Sequence, residues 1–238
     1  MSIPYYLKIG RASDLKDKKE RIIYRALEIF PGAFSWLTII AVILFSWLKP
    51  VWAAVFIICF VVYNLFRAIY FAFHLNACYR QMKKNEKINW LEKLNQLPNN
   101  HWHSIYHLVV LVLYQESLEI VRSSFQSLST TDWPKNKMIV VLTCEERAGE
   151  KTKKVAEAIE KEFKGKFFKL LITYHPGNLT GELAGKGAND AWGGREAKEK
   201  IIDPLKIPYE NIIVSSFDVD TRVFPKYFSC LAYRYLTV

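Results

Sequence analysis

The sequence lacks any close pairing of its few cysteines. Four of its 238 residues are cysteine, and Cys59, Cys78, Cys144 and Cys230 are scattered with no Cys-x-x-Cys pair. Cys59 lies inside an apolar run. This pattern excludes a disulfide framework and a structural zinc site, and it favours a reducing compartment.

Several sequence signatures are also missing. No internal repeat or low-complexity segment is present, and no small-residue cleavage site follows the first apolar run, which lies too far along the chain for a removed signal peptide. A Walker phosphate loop is excluded too. Only three residues separate Gly181 from Gly185, and Gly187 follows Lys186 where that pattern needs Ser or Thr.

Acidic residues are in deficit, 23 against 33 Lys and Arg, for a net charge of +10. Such a balance suits either nucleic acid or an anionic membrane surface, and the positions of the charges decide between them. Here the basic residues flank two apolar runs and form no stripe with exposed aromatic residues. We therefore predict a lipid bilayer as a partner and no nucleic acid.

The two apolar runs cover residues 33–48 and 51–73 and are separated by Lys49-Pro50. A transmembrane helix needs about 20 residues, so the second run is long enough and the first needs residues 30–32 as well. We predict a basic cytosolic segment over 1–30, either an interfacial helix or a solvated tail, two transmembrane helices over 31–75 and a juxtamembrane linker helix over 76–104. Basic residues on both outer sides of the pair predict a multi-pass protein of the inner (cytoplasmic) membrane with both ends cytosolic.

From residue 105 onward, short apolar runs alternate with helical patterns. Strands are predicted over 108–113, 138–143, 168–174 and 212–217, and helices over 116–128, 151–163, 185–200 and 224–238. Such alternation predicts an α/β fold with a parallel sheet, whose ligands bind beyond the carboxyl ends of the strands.

Polar side chains follow each predicted strand. Those that are candidates for a site are Tyr114, Glu116, Glu145, Glu146, Lys186, Asn189, Asp218 and Asp220. Asp218 and Asp220 are one residue apart, so in an extended strand their side chains share a face. Two carboxylates on one face are suited to Mg²⁺ or Mn²⁺, which take their remaining ligands from water and substrate phosphates.

The order of these motifs resembles the first half of the catalytic domain of membrane-anchored bacterial family 2 glycosyltransferases. The resemblance covers residues 105–238 and rests on Tyr114-Gln115-Glu116, the acidic pair Glu145-Glu146, Gly185-Lys186 with Asn189, and Asp218-Val219-Asp220. It implies an incomplete Rossmann-like domain of the GT-A type that binds a nucleotide-diphosphate sugar, most simply a UDP-sugar. The acceptor would be a glycan or a lipid, as in polysaccharide biosynthesis.

The resemblance also implies roles for individual residues. Tyr114 and Glu116 would line the nucleoside pocket, Glu145 or Glu146 would bind the base, and Lys186 and Asn189 would lie near the diphosphate or ribose. Asp218 and Asp220 would hold the Mg²⁺ or Mn²⁺ that neutralises the leaving diphosphate. Such a group develops negative charge, which a fixed cation stabilises directly.

The sequence departs from the family pattern in three places. Gln115 stands where an Asn is usual, and Glu145 or Glu146 where an Asp is usual. The family's general base and its Gln-x-x-Arg-Trp motif would lie beyond residue 238. We therefore expect a fragment that is inactive alone, with a possible complementary chain carrying the missing half.

Two alternatives remain open at this point. One is a non-catalytic or split nucleotide-binding membrane protein. The other is a phosphohydrolase of the haloacid dehalogenase type, although Arg222 stands where that motif has Thr or Val.

Overall fold

The computed structural model describes residues 9–98, 101–177, 179, 182–183 and 185–237. The chain divides into two compact units, Met1–Lys87 and Ile88–Val238.

The first unit contains two long helices, α1 (Lys18–Leu48) and α2 (Pro50–Lys87). Both are long and apolar enough to cross a membrane. Their large apolar side chains are exposed on all sides, as in Trp47 at 88%. A helix that is apolar all round needs an apolar surrounding, and a bilayer provides one.

Both helices continue past the apolar runs. The side chain of Asp17 caps α1 by accepting the Lys19 N–H at 3.0 Å, and the helix includes residues 18–30 of the predicted basic segment. Helix α2 runs without a break into the predicted linker as far as Lys87. Beyond the apolar run its residues are good helix formers, and Lys83 and Glu86 form an ion pair one turn apart at 3.0 Å.

The second unit confirms the predicted alternation of strands and helices. It begins with a short helix, α3 (Trp90–Asn95), which the side chain of Asn89 caps. The remaining elements follow in the order β1 (Tyr106–Leu113), α4 (Leu118–Ser129), β2 (Met138–Glu145), α5 (Gly149–Phe163), β3 (Lys169–His175), α6 (Lys186–Ala197), β4 (Ile212–Asp218) and α7 (Tyr227–Thr237).

The four strands form one parallel sheet in the order β3-β2-β1-β4. Helices α4, α5 and α7 contribute to the larger core on one face, where Phe125, Phe163 and Phe228 are fully buried. Helix α6 and the π-helical turn that extends it cover the other face with Ala197 and Ile201. Helices on both faces explain why β1 and β2 are continuous apolar runs.

His107 on β1 is an ionisable residue that is fully buried on the side of the larger core. Its ring lies 4.7 Å from that of Trp133 and 4.8 Å from that of Phe228. Burial lowers the pKa of His107 to about 3, although the backbone of Phe228 favours the charged ring.

Candidate functional site

The carboxyl edge of the sheet brings together residues from all four strands. Strand register pairs His175 with Glu145, Cys144 with Leu113, and Val112 with Asp218. Neighbouring strands are about 4.8 Å apart, so β2, which ends at Glu145, and β4, which ends at Asp218, are about 10 Å apart across the sheet. Strand ends that carry side chains assigned from the sequence to bind a nucleotide, Glu145 and Asp218, therefore meet at one edge of the sheet.

This edge contains the topological switch point of the sheet. The chain moves outward from β1 to β2 and β3, then returns to place β4 on the other side of β1. The connections leaving β1 and β4 thus diverge, and ligands of open parallel sheets bind in the crevice that results. Tyr114 follows β1 and Asp218 ends β4, so they flank this crevice.

Asp218 and Asp220 are both exposed, while Val219 between them is buried at 2%. The Ser124 hydroxyl donates to the Val219 carbonyl at 2.7 Å, and the Thr221 N–H donates to the Asp218 carbonyl at 2.9 Å. These bonds fix the backbone between the two carboxylates. Both carboxylates are therefore available at the surface.

Lys186, at the first turn of α6, binds Asp218 through its ammonium group. This hydrogen bond raises the pKa of Lys186, and the charges of Asp218, Asp190 and Asp220 act in the same direction. Asp190 also accepts a hydrogen bond from Ser216 on β4 at 2.9 Å. The ammonium group of Lys186 thus binds one of the two carboxylates that the sequence assigns to a metal.

No group of three or more His, Cys, Asp or Glu side chains within the described ranges is arranged to hold a metal ion. Two carboxylates are present instead, and 66% of the Asp218 side chain is exposed to solvent. Such a pair fits a divalent ion that takes further ligands from a substrate, once Lys186 has left Asp218.

Glu116 forms hydrogen bonds with the backbone of its own loop. Its carboxylate accepts the N–H groups of Tyr114 at 2.9 Å and Gln115 at 3.1 Å. The ring of Tyr114 is left 41% exposed. Glu116 therefore acts on the edge by fixing the backbone that presents Tyr114.

Arg147 is a residue of this edge to which the sequence analysis gave no role. It pairs with Glu145, which is only 8% exposed, and its guanidinium lies 5.7 Å from the centre of the Tyr114 ring. Glu146 is exposed in the turn that follows β2. An arginine two residues after a strand-ending glutamate is the only sequence signal for this arrangement, and it is weak.

Asn189, assigned from the sequence to the diphosphate or ribose, has 0% exposure. The Thr143 hydroxyl donates to its side-chain oxygen, and its amide donates to the Thr143 carbonyl at 3.4 Å. Asn189 therefore joins α6 to β2, and none of its surface is exposed for contact with a nucleotide sugar in this structure.

Glu182 binds side chains of both β3 and α6. It accepts hydrogen bonds from His175 at 2.8 Å and Arg195 at 2.7 Å. Burial opposes a lowered pKa for Glu182, but these two hydrogen bonds prevail and lower it. Trp192 packs on His175 and donates to Thr173 at 3.0 Å, so the indole contributes to helix packing.

These features define an α/β domain with a parallel sheet and a polar switch-point edge, in a chain with two apolar helices that can span a membrane. No family model and no curated protein sequence matches the chain. The functional argument therefore depends on the side chains of this edge.

Proposed function

We propose that this chain is a membrane-associated glycosyltransferase, a hexosyltransferase that binds a nucleotide-diphosphate sugar with Mg²⁺ or Mn²⁺. One observation carries the proposal: Tyr114, Glu145, Lys186, Asp218 and Asp220 all lie at the carboxyl edge of a parallel sheet, on both sides of its switch point. The acceptor would be a membrane-associated lipid or a growing glycan.

Tyr114, Glu145 and Arg147 form the nucleoside side of the proposed site. The exposed Tyr114 ring offers a stacking surface for a base, and the Glu145 carboxylate offers hydrogen-bond acceptors. Arg147 pairs with Glu145 and also lies over this ring. A base that binds here takes the contact that Arg147 now makes.

Lys186, Asp218 and Asp220 form the diphosphate side. The two aspartates would hold a divalent ion, which supplies neutralising charge as the diphosphate leaves. Lys186 at the start of α6 would then exchange Asp218 for a phosphate oxygen, helped by the positive end of the helix dipole. The resemblance places the general base after the region it matches, so no residue of this chain is assigned that role.

Calorimetry with UDP tests this donor site. We expect binding to the full chain in detergent to require Mn²⁺ or Mg²⁺. The Asp220→Ala change should weaken metal-dependent binding by at least the 10- to 100-fold typical of lost outer-shell groups at metal sites. Asp203→Asn is the matched control, since Asp203 is an exposed carboxylate that pairs with Lys198 away from the edge.

UDP binding that ignores both the metal and Asp220→Ala would overturn the donor-site proposal. Metal-dependent binding with no sugar transfer in an extract of the native membranes, which would supply any complementary chain, would favour the alternative of a non-catalytic nucleotide-binding membrane protein; transfer that requires the extract would favour a split one.

We also propose that the helix pair spans the inner membrane with the turn at Lys49 on the outside and the second unit in the cytosol. The basic residues at the far ends of α1 and α2 support this orientation. In a chain whose native cysteines are replaced, we expect an impermeant maleimide to label Lys49→Cys on intact cells. A chain that keeps only Cys78 should react after permeabilisation alone. The reverse pattern would contradict the orientation.

A further inference from the structure

An apolar cleft of about 520 Å³ lies between α1 and α2 within the first unit. Its walls include Ala41, Val42 and Phe45 of α1 and Ala53 and Phe56 of α2. Small alanines on both helices leave the space, and the larger rings border it. The volume falls within the roughly 300–1,000 Å³ range of small-ligand pockets in proteins.

The chemistry of the cleft is asymmetric along its length. Thr38 lies at the deep end, and its hydroxyl donates to the Phe34 carbonyl at 2.9 Å, so it offers no free donor to the cleft. Lys49 lies at the turn end and is the charged residue that lines the cleft. An occupant would therefore be apolar along its length, with an anionic group at the end near the turn.

The depth of the cleft matches one leaflet. Lys49 is eleven positions after Thr38, which is about 16 Å along a helix at a rise of 1.5 Å per residue. Half of a hydrocarbon core of about 30 Å is about 15 Å. Trp47 and Trp52 are both exposed beside the turn, as expected for aromatic residues at the membrane interface.

We propose that this cleft binds one acyl chain of an anionic phospholipid in the leaflet on the side of the turn, with its phosphate at Lys49. The N-terminus of α2 begins at Pro50 beside this lysine and adds the positive end of its dipole. A third helix fits less well. A helix about 10 Å wide and equally long would fill more than twice the volume of the cleft.

Lys49 has a simpler explanation, since a cation after the last residue of α1 complements the negative end of that helix. That explanation requires no lipid, and it predicts no preference among lipids. Photocrosslinking separates the two. The full chain would be reconstituted in phosphatidylcholine vesicles that contain a trace of either phosphatidylglycerol or phosphatidylcholine with a photoreactive acyl chain.

We expect photoreactive phosphatidylglycerol to label Val42 and Phe45 in preference to Ile43 and Leu44, which lie at the same depth outside the cleft. One lysine near a membrane surface changes the affinity for an anionic lipid by about fivefold, so Lys49→Gln should reduce this labelling about fivefold. Lys49→Arg should retain it.

A filled cleft provides the second comparison. Ala41→Phe should abolish labelling at Phe45 by both lipids, whereas Leu44→Phe, a change of the same helix outside the cleft, should leave it intact. Equal labelling of all four residues 42–45, or no effect of Lys49→Gln, would overturn the proposal. So would disulfide formation between two copies of Ala41→Cys, which would place a second chain in the cleft.

Discussion

Lowering the pH from 7 to 4 is expected to destabilise the second unit by about 3 kcal/mol through His107 alone. The ring of His107 is fully buried between Trp133 and Phe228, and burial lowers its pKa from 6.5 to about 3. In the unfolded chain His107 takes up a proton near pH 6.5, whereas in the folded chain it does so only near pH 3. The contribution of His107 to the free energy of unfolding is therefore fully present above about pH 6.5, and it is lost progressively as the pH falls toward 3.

A protonated ring has little to compensate it at this position. The backbone of Phe228 favours the charged form, but burial outweighs that contribution. Asp132 on the same side of the sheet acts in the opposite direction, because burial raises its pKa even though Ser229, Lys135 and Lys226 favour its charged form. Protonation of Asp132 thus offsets part of the acid loss, and the effect of His107 has to be measured by difference.

Urea unfolding of the full chain in detergent, followed by tryptophan fluorescence at several pH values, measures this difference. The His107→Phe variant should lose about 3 kcal/mol less than the wild type between pH 7 and pH 4. His107→Leu provides a second apolar side chain in case the larger ring disturbs the packing. His103→Asn, a change at an exposed histidine, is the control for the loss of an imidazole elsewhere in the chain. Identical pH profiles for the wild type and both apolar variants would refute the role of His107.

The sheet was predictable from the sequence because its signals are local. Residues 138–143 are a continuous apolar run, and β2 is buried along its whole length as a strand covered on both faces must be. The position of Asp218 and Asp220 at a strand end followed from the same signal. Parallel order then placed these carboxylates at the edge shared with Tyr114 and Glu145.

The contacts within the site were less predictable because they depend on how α6 packs. The sequence shows Lys186 and Asn189 three residues apart near a helix start, which suits a phosphate site for both. The structure exposes Lys186 to Asp218 and buries Asn189 against Thr143. Which face of α6 meets the sheet is a tertiary property, and no local pattern distinguishes the two residues. The same holds for the contact of Arg147 with Tyr114, which follows a different strand.

The close approach of α6 to the sheet leads to a prediction with a large effect, at Gly193. A Cβ atom at this position would lie 3.0 Å from Val110 and 3.2 Å from Thr143, whereas a Cβ at Gly194 would meet nothing within 4 Å. Both glycines belong to the same helix, so changes at the two positions differ mainly in what the new side chain meets.

Gly193→Val should therefore destabilise the second unit by about 3 kcal/mol. Overpacking typically costs about 1–3 kcal/mol. If α6 is pushed outward, the buried hydrogen bonds between Asn189 and Thr143 break as well. A buried hydrogen-bonding group that is left unsatisfied costs about 1–3 kcal/mol. Gly194→Val should be nearly neutral, since valine is a slightly better helix former than glycine. Urea unfolding in detergent measures both variants.

The Gly193→Val change should also reach the proposed donor site, because α6 carries Lys186 to Asp218. If the helix is displaced, we expect UDP with Mn²⁺ to bind more weakly to Gly193→Val than to Gly194→Val under conditions in which both variants are folded. Equal stability of the two variants would mean that α6 can move away from Val110 and Thr143 at no cost. If Gly193→Val is the less stable variant but binds UDP as well as Gly194→Val does, displacement of α6 does not affect UDP binding. Lys186 would then not belong to the diphosphate side of the site.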